Sequence, residues 1–265
     1  MVKLSIPILV SSSEDAGAIN KSSDGSQFEI ITDQPIIIPS EAVNCELFVT
    51  SASVWNVVPN IVTGVNDQFY IEIAAVNYVA VIPQGLYDLD TLESAIERDL
   101  IAQGAPSGTF SFLPDDPTQK VVIRLNIAGV QIDFTQADTP RGLLGFNSQL
   151  IPPGAPSAGI EYYLADNEAA FNNIDFFLIH CDLCSEGIRV NGNFNQSVCK
   201  VDILDTPPGS LITNQYQMPV ICPCDYLIGS IRKSWRVWIT DQDNNRINTQ
   251  NENFSAQIMI QYEIE

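Results

Sequence analysis

Short apolar runs broken by clusters of proline, glycine, asparagine and aspartate recur along the chain, and no helical period dominates. This is the pattern of an all-β protein. The clearest strand is the last: Phe254, Ala256, Ile258, Ile260, Tyr262 and Ile264 alternate with Ser255, Gln257, Met259, Gln261 and Glu263, the period of two of a strand with one buried face. Further strands are predicted over residues 28–38, 43–57, 68–76, 173–183, 197–204, 215–222 and 230–240. In the last of these, Trp235, Val237 and Ile239 share a face. Arg236, Trp238 and Thr240 share the other, so Trp238 is a large apolar residue on the wetter side, suited either to an adjacent covering element or to a subunit contact.

One stretch departs from the β pattern. Asp90 followed by Glu93 has the form of a capping box. Leu92, Ala95, Ile96 and Leu100 then recur at helical spacing, and Gly104 ends the helix. A hairpin is predicted next, residues 120–127 returning over 130–135 through Ala128-Gly129. Together these describe a small α+β insertion over residues 79–158. It interrupts an outer domain of residues 26–78 and 159–265, with residues 1–25 as an N-terminal strand or docking arm. The outer domain has about eight strands, three before the insertion and five after it, and the expectation is a single eight-stranded jelly-roll sandwich.

Composition narrows the function. Hydrophobic residues make up 45 % of the 265 and charged residues 17 %, so the chain folds and is not disordered. No run approaches the ~18 apolar residues of a membrane-spanning helix. The apolar run of residues 4–10 contains Pro7 and lacks a following small-residue cleavage site, so it is read as a strand rather than a signal peptide. A net charge of −20 opposes direct binding to nucleic acid or anionic lipid. With one histidine in the chain, histidine-pair catalysis and three-histidine metal sites are excluded. The six cysteines are too sparse for a disulfide scaffold, and several lie in apolar runs; buried free thiols in a reducing compartment are the expectation.

Each candidate for chemistry has a plainer reading beside it. Cys181, Cys184, Cys222 and Cys224 are the ligand types of a zinc site, but their spacing fits small buried hydrophobes at strand ends better. Asp241, Asp243, Asn245 and Glu252 fall at positions 1, 3, 5 and 12 of a calcium loop. Arg246 stands where that loop needs glycine, which favours a polar connection held by Asx turns. Asp115-Asp116 sits in a proline-bounded turn, where neighbouring carboxylates do not straddle a cleft. His180 and Cys181 are adjacent on a strand and point to opposite faces; His180 is expected to be partly buried and bonded to backbone. Nucleophile-elbow and phosphate-loop motifs are missing. The basic group Arg232, Lys233 and Arg236 is expected to pair with neighbouring carboxylates. No enzyme and no cofactor is expected, calcium and zinc being the two for which ligand types exist.

A series of short blocks resembles a known family. They are residues 35–39, 45–56 and 60–61 (Cys45 to Asn56 containing Trp55), Ile82 to Tyr87 with Leu92 and Ile96, Leu143 to Phe146, Phe177 to Leu183, Tyr216 to Val220, and Trp238 to Ile247. In this order they are similar to the penton, or minor capsid, proteins of virophage and polinton-like or adintovirus double-stranded DNA viruses. The resemblance implies a jelly roll with an outward insertion. Five copies would close the icosahedral fivefold vertex among major capsid proteins, in a virion assembled inside the host cell. Trp235, Arg236 and Trp238 are the interface candidates. The alternative is a glycan- or receptor-binding jelly roll serving host attachment.

Overall fold

The computed structural model describes residues 1–171, 174–188, 195–204 and 206–264. Four strands come first: β1 (Val2–Ser11), β2 (Ala18–Ile19), β3 (Gln27–Ile37) and β4 (Val43–Trp55). Then follow β5 (Gln68–Ile73), β6 (Val76–Val81), the helix α1 (Leu89–Ala102), β7 (Phe110–Asp115), β8 (Lys120–Leu125) and β9 (Val130–Asp133). A single helical turn, α2 (Arg141–Leu144), precedes β10 (Leu150–Ile151) and β11 (Glu161–Leu164). The chain closes with β12 (Phe176–Cys181), β13 (Ser197–Asp202), β14 (Leu211–Gln215), β15 (Cys222–Pro223), β16 (Ile231–Thr240) and β17 (Ser255–Ile264). Strands dominate, and the fold class is all-β.

The chain divides into an outer unit, residues 1–58 with 174–265, and an inner unit, residues 59–173. The outer unit has two antiparallel sheets. One runs β1-β17-β4-β14, with β15 also on β4; the other runs β13-β12-β16-β3-β2. Period-two burial gives each sheet one apolar face, and the two faces share one core. Leu47, Val49, Ala256, Ile258 and Ile260 come from the first sheet, and Phe28, Phe177, Ile179, Val237 and Ile239 from the second. Phe28 and Phe254 meet edge to face at 5.3 Å.

The chain's first residues are not a free arm. β1 pairs with β17 over ten residues, from Val2 opposite Ile264 to Ser11 opposite Ser255. Ile6, Ile8 and Val10 continue the inward apolar row of β17, and that row is the reason the segment docks as a strand. Residues 18–19 then pair with β3. The predicted strand over 215–222 is also corrected. Residues 216–221 are irregular between β14 and the two-residue β15, because Pro219 and Pro223 cannot donate to a ladder. Each sheet thus holds five strands among the described residues; the expected eight counted residues 68–76, which lie in the inner unit, and did not count β1.

The inner unit is larger than the predicted insertion. β5 pairs with β9, Ile71 facing Ile132, and β11 pairs with β8, Tyr163 facing Ile123. Residues 68–81 and 161–164 therefore belong to it, although the sequence pattern assigned most of them to the outer domain. The predicted strand at 68–76 is a strand followed by a turn in which Ala74 and Ala75 take positive φ. Its sheets run β10-β9-β5-β6 and β11-β8-β7. This overturns the predicted hairpin: β8 and β9 lie in different sheets. Both strands bury alternate residues, Val121, Ile123 and Leu125 against Val130 and Ile132, and the connection through Gly129 carries the chain from one sheet to the other.

The core of the inner unit is aromatic. Phe69 lies 5.3 Å from Phe110, 6.1 Å from Phe112 and 5.9 Å from Phe134. α1 covers this core with Leu92, Ala95, Ile96 and Leu100, as its spacing predicts. Its start lies two residues earlier than expected. Asp88 is the N-cap, accepting from the Thr91 N–H at 2.8 Å, while the Thr91 hydroxyl accepts from the Asp88 N–H at 2.9 Å. Glu93 is turned away from the cap and accepts the Phe112 N–H; burial there raises its pKa.

Candidate functional site

β16 collects the residues singled out for contact. Its register against β12 places His180 opposite Trp238 and Leu178 opposite Thr240. Alternation then sends Trp235, Val237 and Ile239 into the core. Trp235 is only 3 % exposed, so it offers no surface for a partner and is corrected from interface candidate to core residue. Trp238 lies on the opposite face and is half-buried. Its ring stacks on that of His180, 5.1 Å between centroids and 3° from parallel.

His180 is buried, and its partner is a side chain rather than the expected backbone. Its Nε2 lies 2.8 Å from Thr240 Oγ1. The Thr240 hydroxyl donates to the Asp241 carbonyl at 3.1 Å, so it accepts from the His180 Nε2–H. Nδ1 has no partner among the described residues. Burial pulls the pKa of the ring down to about 4.

The basic residues cluster on the N-terminal half of β16. Asp182 receives the Arg236 backbone N–H at 2.9 Å and its Nε at 3.3 Å, which is the pairing with a neighbouring carboxylate expected from the sequence. Arg232 lies over the Tyr226 ring, 5.4 Å from its centroid, and Lys233 is exposed. The Tyr226 hydroxyl donates to the Asp182 carbonyl at 2.5 Å. Beside this basic strip, Ile231 and Ile37 face each other across the β16–β3 pair at 64 % and 53 % exposure. Met218, Val220 and Ile221 are also exposed in the irregular segment before β15. Sequence reasoning missed these exposed residues because apolar runs were assigned to strands and so to the core.

The two metal candidates fare differently from their ligand patterns. Asp241 accepts the Asp243 and Asn245 backbone N–H groups at 2.9 and 2.8 Å, and the Asn245 side-chain amide at 3.1 Å. Its carboxylate is thus occupied in an Asx-type turn. The Glu252 N–H closes a separate turn on the Thr249 carbonyl. Among the described residues, no three or more carboxylates, thiols or imidazoles converge as ligands, Cys181, Cys184, Cys222 and Cys224 included. The six thiols are all buried. Burial raises those of Cys181 and Cys199 to about 12.

The inner unit carries a groove of about 380 Å³ whose lining includes Leu89, Val121, Ala169 and Phe171. Asp115, Asp116 and Lys120 also line it. Asp115 ends β7 and closes the tight turn to β8 by accepting the Thr118 hydroxyl, in keeping with the turn read from the sequence.

Over nearly its whole length the chain is similar to two solved virophage structures. The mavirus penton protein is 11 % identical, with 99 % of each chain covered and a TM-score of 0.43. A chain of the Sputnik virophage structure is 14 % identical, with 97 % of each covered and a TM-score of 0.42. No family model matches the chain, and no curated protein does.

Proposed function

We propose that this chain is a structural capsid protein, a penton whose five copies close the fivefold vertex of an icosahedral virion against the major capsid protein. One observation carries the reading. Without the two-residue pieces, the outer unit's strands run β1-β17-β4-β14 in one sheet and β13-β12-β16-β3 in the other. In chain order these are strands one, eight, three and six against five, four, seven and two, the order of a single jelly roll. Jelly rolls are a recurrent capsid architecture. The inner unit enters between the third and fourth of these strands, an insertion within a jelly roll of the kind that the sequence resemblance implies.

The surface supports assembly over catalysis. A ring of identical subunits needs two different patches that fit each other. The strip of Arg232, Lys233 and Arg236, with Ile231 and Ile37 beside it, is a basic and apolar patch on a chain of net charge −20. An acidic flank of the next copy complements it, and the same charge keeps free subunits soluble and off nucleic acid. Trp238 and Arg236 are the contact residues retained from the sequence. Light scattering of the purified chain at low salt is expected to find a species of five times the subunit mass. The double variant Arg232→Glu, Lys233→Glu is expected to return it to monomer with its strand content unchanged. A monomer that also fails to join shells of the major capsid protein overturns the reading.

The inner-unit groove favours a second role, host attachment through a glycan. A groove lined by an aromatic ring, two carboxylates and a lysine has the group types of a sugar site, in which Phe171 would stack and Asp115 and Asp116 accept hydroxyl protons. On a glycan array, saturable binding abolished by Phe171→Ala supports this role. Binding that is absent, or indifferent to that variant, removes it and leaves the vertex reading untouched.

A further inference from the structure

Two of the six cysteines, far apart in sequence, face each other in the outer unit. β15 lies against β4 with Cys222 opposite Leu47 and Pro223 opposite Glu46. One step further, the same register faces Cys224 with Cys45, and the Cys224 N–H donates to the Cys45 carbonyl at 2.9 Å. Facing residues of antiparallel strands have Cα atoms about 5.5 Å apart, within the roughly 4.4–6.8 Å that a disulfide spans. The Cys45 and Cys224 Sγ atoms are 3.2 Å apart, closer than two unbonded sulfurs ordinarily pack. The Cys184 thiol is engaged elsewhere, on the Cys181 and Gln196 carbonyls at 3.3 and 3.5 Å.

We propose that Cys45–Cys224 is a dormant crosslink, a dithiol that a small-molecule disulfide such as oxidised glutathione converts to a protein disulfide. Closed, it fastens the end of β15 to β4. One thiolate attacks a glutathione sulfur and expels a glutathione thiolate. The second cysteine gives up its proton, attacks the protein-side sulfur of the mixed disulfide and expels the other. Two protein thiols are oxidised, one disulfide is reduced to two glutathione molecules, and the two protons end on these.

The pair has an attacking and a resolving member. A hydrogen bond from Cys224 holds Cys45 below the usual thiol range, and Cys224 is pushed up. The thiols are buried, so the oxidant enters when the segment lifts. β15 is two residues long and follows the exposed Met218, Val220 and Ile221, which makes it a thinly held piece of the sheet. In a reducing interior the pair stays open, and in an oxidising exterior it closes. This crosslink is a property of the outer unit whatever its role.

The test is thiol mapping of the whole purified chain. After incubation with oxidised glutathione, the protein is unfolded in acid, labelled with N-ethylmaleimide and digested for mass spectrometry. Labels are expected on Cys181, Cys184, Cys199 and Cys222, with the joined peptide Cys45–Cys224. Cys45→Ala is expected to free Cys224 and leave the other four labelled. All six thiols labelled, stable glutathione adducts, or a different pairing such as Cys222–Cys224 overturns the proposal. So does zinc co-purifying with the reduced chain that shields Cys45 and Cys224 until a chelator removes it.

Discussion

Phe69→Ala is expected to destabilise the inner unit by about 4 kcal/mol, at the upper end for a large-to-small change in a packed core. Phe69 is fully buried and lies within ring contact of Phe110, Phe112 and Phe134. Truncation therefore removes the ring's transfer energy and strands three neighbours, two on β7 and one just past the end of β9. The chain supplies its own readout. Its three tryptophans, Trp55, Trp235 and Trp238, all lie in the outer unit. Urea unfolding followed by tryptophan emission thus reports the outer unit, whereas far-ultraviolet dichroism includes α1 and the inner sheets. The variant should lower the dichroism midpoint and leave the emission midpoint in place, each unit having its own core. A parallel fall of both midpoints would mean that the cores melt as one.

Acid is expected to weaken the outer unit through His180. The folded ring has its pKa lowered from 6.5 to about 4 by burial, and its Nδ1 meets no partner among the described residues. Between those two values the unfolded chain binds more protons than the folded one, so stability falls as pH drops. The contribution is fully present above about pH 6.5 and levels off below about pH 4. At pH 4.5 the loss from this one residue is about 2.5 kcal/mol. His180→Phe keeps a ring against Trp238, and the Thr240 hydroxyl retains its bond to the Asp241 carbonyl. Chemical denaturation of both proteins at pH 7.5 and pH 4.5 separates this group from the many carboxylates. The variant should lose about 2.5 kcal/mol less between those pH values. An identical loss in both proteins would place the acid sensitivity elsewhere.

What the sequence made legible was local. The alternation over residues 254–264 is the burial pattern of β17, and the four apolar residues of α1 are the four that are buried. A side chain's periodic environment is written in its near neighbours. Pairings between distant segments are not. Residues 120–135 have the pattern of a hairpin, yet β8 and β9 go to different sheets, since alternation says that a strand has a buried face and not which strand lies beside it. The limits of the inner unit were misplaced for the same reason: Gln68–Ile73 earns its place through β9, some sixty residues away in sequence. Trp238 was legible as the unusual outward aromatic. The contact between Cys45 and Cys224 was not, because |i−j| is 179 and nothing in the intervening residues encodes it.

The position of β17 governs when this chain can fold as it is made. β17 lies between β1 and β4, joined to β1 over ten residues and to β4 from Ser255 to Glu263. The first of its sheets therefore has a gap at its centre until residues 255–264 leave the ribosome. β1 and β4, made early, wait with their apolar rows uncovered through the synthesis of nearly everything else. The inner unit, complete within residues 59–173, has all its strands in hand long before. Synthesis thus runs from the inside outward: the interrupting unit folds first, and the interrupted one last and all at once. A truncation that removes only the final strand would cost the outer unit both of its flanking partners, not one edge.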